Sequence, residues 1–68
     1  MNEDTLSLQI RKFLKEVGIM SQRAIEMAVR KAAVKGTLAG KNRIAATMTL
    51  VAPEIGLHHQ VQATIELG

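Results

Sequence analysis

A single aromatic residue, Phe13, serves a chain of 68 residues, and that scarcity limits the possible folds more than any other feature. A chain this short removes only about 60% of its unfolded surface from water on folding, so its core is thin from the outset. Buried aromatic side chains dominate core energetics where they occur. Here the apolar residues are mostly Ala, Val, Ile, Leu and Met. The absence of cysteine excludes a disulfide framework and a thiolate metal site. Of the remaining ways to stabilise a small scaffold, oligomerisation is the most direct. A homo-oligomer is therefore expected, with a dimer favoured and a monomer as the competing outcome.

The apolar spacing predicts two helices. The first spans about residues 3–17, with Asn2 as N-cap and Glu3 and Asp4 in the first turn, where the helix dipole favours negative charge. Its stripe is Leu6, Ile10, Phe13, Leu14 and Val17. Gly18 is read as the stop, because glycine enters the left-handed conformation that ends helices. Ser21 is read as the cap of a second helix over about residues 22–35, with Met20 and Ile25 spaced as a hydrophobic staple. The stripe of that helix is Ile25, Ala28, Val29, Ala32 and Ala33, and Gly36 ends it. Met27 and Val34 do not fit, because they fall almost opposite Ile25 and Ala32. They are either covered by the rest of the fold, simply exposed, or part of a partner surface.

Beyond a turn-rich loop at residues 36–43, with Leu38 tucked inward, the period changes to two. Ile44, Ala46, Met48 and Leu50 alternate with Ala45, Thr47, Thr49 and Val51. The alternation resumes as Leu57, His59, Val61, Ala63, Ile65 and Leu67 against a polar set. Two such runs joined by a turn containing Pro53 and Gly56 predict an antiparallel hairpin, with strands at about 43–52 and 57–67. The expected fold is a single α+β domain, two N-terminal helices on the apolar face of a C-terminal hairpin. Phe13 is expected to pack against the second helix and that face.

Net charge is +3, but its placement is uneven. All nine Lys and Arg lie between Arg11 and Arg43, where Glu16 and Glu26 alone oppose them, while the four remaining acidic residues sit toward the ends. Such asymmetry raises the prospect of an anionic partner. The longest apolar runs fall short of the roughly 20 residues that span a bilayer. The acidic opening is unlike a secretory signal. A cytoplasmic protein without a membrane role is expected.

Several blocks carry a resemblance. The opening Met1-Asn2-Glu3-Asp4-Thr5, the run Arg11-Lys12-Phe13-Leu14-Lys15 followed by Val17-Gly18, then Ser21-Gln22-Arg23 and Met48-Thr49-Leu50 resemble a family of small bacterial proteins of unknown function. The resemblance extends over nearly the whole chain. It implies a stand-alone protein and brings no activity or functional residue with it.

The residues offer little chemistry. His58 and His59 are the only cluster inviting a metal, yet neighbours on a strand point to opposite faces. No nucleophile has an obvious base, and the carboxylates are scattered. Residues 36–41 lack the spacer and hydroxyl of a phosphate loop. The sequence therefore points to a protein that is not an enzyme and holds no cofactor or metal. A self-associating interaction module, able to bind a protein or an anionic ligand, is the leading expectation. Met27, Val34 and Val61 are its candidate contacts. The alternative is a small nucleic-acid-binding protein using a helix-turn-helix-like segment, with Gln22, Arg23, Arg30 and Lys31 as its contacts.

Overall fold

A computed structural model describes residues 1–68. It corrects the helical half of the expected fold. One helix, α1, runs without interruption from Glu3 to Lys35, and two strands, β1 (Arg43–Ala52) and β2 (Leu57–Glu66), follow it. The protein is still α+β, but there is no second helix and no turn at residues 18–21. The chain divides into two compact units, Met1–Thr37 and Leu38–Gly68.

Both ends of α1 are chemically defined. The Asn2 side chain accepts a hydrogen bond from the Thr5 N–H at 3.1 Å, with Glu3 and Asp4 in the turn that follows. At the other end Gly36 has φ 77°. The Thr37 N–H donates to the Ala32 carbonyl at 3.0 Å and the Gly36 N–H to the Ala33 carbonyl at 3.1 Å, the paired bonds of a Schellman cap.

Gly18 performs no such role. Its φ is not positive, so the helix passes straight through it. An interior glycine costs about 0.5–1 kcal/mol relative to alanine, too little to break a helix whose neighbours on both sides favour helix. Ser21, expected as a cap, is likewise an interior position. A Cβ at Gly18 would meet nothing within 4 Å. Gly18→Ala should therefore raise stability by roughly 0.5–1 kcal/mol, read as a higher melting temperature and stronger helical circular dichroism. A loss of stability instead would mean that another backbone packs against this glycine.

The second unit is a two-stranded antiparallel sheet. The strands are joined by a short 3-10 turn at Pro53–Ile55 and by Gly56, whose φ is 64°. Its register pairs Ile44 with Ile65, Ala46 with Ala63, Met48 with Val61, Leu50 with His59 and Ala52 with Leu57. These pairs share one face, because side chains alternate along a strand. The opposite face carries Arg43 against Glu66, Thr47 against Gln62, Thr49 against Gln60 and Val51 against His58. The Gln60 side-chain amide donates to the Thr49 hydroxyl at 3.4 Å on that face.

No side chain anywhere in the chain is buried. The expected core role of Phe13 is corrected with the helices: the second helix it was to pack against does not exist, and its side chain is 51% exposed.

Candidate interaction surface

A continuous α1 changes which residues share a face. At about 100° per residue, Met27 and Val34 line up with residues that a break at Gly18 would have placed on a different helix. Leu6, Phe13, Met20, Met27 and Val34 recur at seven-residue steps, with Ile10, Val17 and Ala24 between them. This seam spans the helix from its first turn to its last. Met27 is 69% exposed and Val34 89%. A second apolar line, Val17, Ser21, Ile25, Val29 and Ala32, drifts round the other side and is half-buried. The two lines meet at Val17 and diverge toward the C-terminal end. The residues that disturbed the two-helix reading thus belong to the more exposed of two lines on one helix.

The four candidate anion contacts are all exposed, but they do not form one surface. Arg23 and Arg30 lie on the same flank of α1, about two turns apart, with Lys12 in line below them. Gln22 sits roughly 100° to one side and Lys31 roughly 100° to the other, among the seam residues. Arg30 also reaches Glu26 at 3.8 Å. That exposed pair is worth only a few tenths of a kcal/mol, so the guanidinium remains available to a stronger acceptor. The geometry of a helix-turn-helix is absent, since the turn that would separate a supporting helix from a reading helix is helical.

In the hairpin, Val61 lies on the apolar face opposite Met48 and is 55% exposed. Its amide has a defined direction. The Leu67 N–H donates to the Asn42 carbonyl at 2.8 Å, in register with the strand pairing. Hydrogen-bonded and non-hydrogen-bonded pairs alternate along an antiparallel ladder, so Met48 and Val61 exchange bonds with each other. The outward amides of β2 are those of His58, Gln60, Gln62 and Thr64. His59 faces the apolar side opposite Leu50, and His58 the other side opposite Val51. No three His, Asp or Glu side chains gather into a group able to hold a metal ion. The small residues at mid-hairpin, among them Ala45, Ala46 and Ala63, leave only a shallow open depression. No helix is long and apolar enough to cross a membrane.

All of residues 1–68 match a family described as "Family of unknown function (DUF6494)". The chain belongs to this family. No curated protein and no solved structure matches the chain. Membership of a family of unknown function assigns no activity, in keeping with the resemblance seen in the sequence, so any functional reading rests on the surface just described. The seven-residue seam was not among the features expected from the sequence. Its signal was the seven-residue recurrence itself, hidden once the helix was cut at Gly18 and its two halves were given independent stripes.

Proposed function

We propose that the protein is a small, non-enzymatic interaction module of the bacterial cytoplasm that acts through self-association, with a homodimer as its simplest form. The observation that supports this is the exposure of its large apolar side chains. Phe13, Met20, Met27, Val34, Met48 and Val61 are all exposed, and nothing is buried to compensate. A lone helix cannot bury a stripe against itself, and a lone two-stranded hairpin is marginal in water. Apolar surface of this extent is characteristic of a face that another chain covers.

Sedimentation equilibrium from about 10 µM to about 1 mM, a range that brackets micromolar dissociation constants, tests the reading. The expected result is a mass that rises with concentration from one 7.4 kDa chain toward two. A single 7.4 kDa species throughout would overturn it.

The nucleic-acid alternative retains one supporting feature, the shared flank of Arg23 and Arg30. Binding of DNA or RNA would fall steeply with salt, because neutralised phosphates release counterions. An apolar protein interface would respond far less. The expectation is that micromolar protein leaves duplex DNA and structured RNA unshifted at low salt. A shift that is lost when Arg23, Arg30 and Lys31 are all changed to Gln would favour the alternative instead.

A further inference from the structure

Resting on self-association, we propose that two copies of α1 pair antiparallel through the seven-residue seam, so that Ile10 of one copy faces the partner's Met27, Phe13 the partner's Ala24 and Val17 the partner's Met20. The occupant of the seam is a second copy of this chain.

Size and charge both select this arrangement. Heptad seams bury apolar residues that repeat at alternating steps of three and four. The seam of α1 does so at Leu6, Ile10, Phe13, Val17, Met20, Ala24 and Met27, and the next two steps are Lys31 and Val34. In the antiparallel register the largest seam residue, Phe13, meets the smallest, Ala24, and the remaining central layers join residues of middle size. Lys31 lies over the partner's Leu6. The partner's Glu3 is then three residues away, about 4.5 Å along the axis, within reach of a long ammonium side chain whose stem stays on apolar surface. On the flanks, Glu16 meets the partner's Arg23 and Gln9 meets the partner's Arg30, each contact occurring twice by symmetry. The two helix dipoles also oppose each other.

The parallel alternative fares worse at every one of these points. It stacks Phe13 on the partner's Phe13, Ala24 on the partner's Ala24 and Lys31 on the partner's Lys31. Its flanks set Arg30 beside the partner's Lys35 and leave Glu16 opposite the partner's Ser21, with no attractive charge pair. Like charges held this close destabilise an assembly.

The chain has no cysteine, so single cysteines report the pairing directly. Ile10→Cys and Met27→Cys are prepared separately in the full-length protein, mixed and oxidised. The expected product is a disulfide between the two variants, with neither variant joining to its own kind. In the antiparallel pair like positions lie 17 residues apart along the axis, about 25 Å and far beyond disulfide reach. Each variant joining only to its own kind would overturn the antiparallel register while leaving self-association intact. An undiminished dimer with no cross-link would exclude α1 as the interface. A monomer at every concentration would remove self-association itself. A charge exchange gives a second readout: Glu16→Arg and Arg23→Glu should each weaken the dimer several-fold, and the double variant should restore it. Single changes without effect would also sink the register.

Discussion

Phe13→Ala should leave the protein monomeric at concentrations where the proposed wild-type dimer forms. In the isolated chain this side chain is half exposed, so truncating it removes little that the monomer had buried. Across the proposed seam it fills the space beside the partner's Ala24 and is enclosed. Truncating a buried aromatic costs about 3–5 kcal/mol. Counted once, the lower figure already weakens a dissociation constant by about a hundredfold, and the symmetry of a dimer counts it twice. The measurement is sedimentation equilibrium beside thermal melting. The mass should fall to 7.4 kDa, and the melting temperature should lose its dependence on concentration. A variant that remains dimeric with an unchanged melting temperature would show Phe13 to be a solvated side chain and the seam to lie elsewhere.

The hairpin supplies the second large effect. Val61→Pro should destroy β-structure, because it removes an amide that bonds within the β1–β2 ladder opposite Met48. A two-stranded sheet has no surplus stability to absorb that loss. Gln62→Pro, one residue along, removes an outward amide at the free edge and should leave the ladder bonds in place. Amide exchange separates the two. In Val61→Pro the protection of Ile44, Ala46 and Met48 should vanish, whereas in Gln62→Pro it should persist. If both variants exchange alike, the assignment of inward and outward amides is wrong. Proline at Val61 is therefore no test of sheet extension between copies. That position faces the hairpin's own partner strand, and an edge test belongs at Gln60, Gln62 or Thr64.

The termini of α1 and the alternation of the strands were legible because each is decided locally. Asn2 caps through its own side chain, Gly36 takes a conformation few other residues tolerate, and period two survives any tertiary context. The break at Gly18 was misread because a glycine states only what is permitted. The same residue ends a helix when a turn sequence follows and is merely a weak interior position when helix formers follow. At Gly36 the next residues are Thr-Leu-Ala-Gly-Lys-Asn, at Gly18 they are Ile-Met-Ser-Gln-Arg, and that difference carried the answer. Ser21 misled in the same way, since serine caps well but is also accepted within helices. The candidate surface was half legible. Met27 and Val34 stood out as unexplained, but their alignment with Phe13 and Met20 exists only on an unbroken helix.

The absence of any buried side chain has a consequence for how much of the protein a cell holds. A domain with its own interior is equally folded whether scarce or abundant. A chain that closes apolar surface against a copy, as the proposed pairing requires, gains stability by mass action, so folding and supply become one variable. At low synthesis the chains stay open to proteases, and above the dissociation constant they shelter one another. Its abundance should then respond to synthesis more steeply than in proportion, rising from near nothing to persistence over a narrow range.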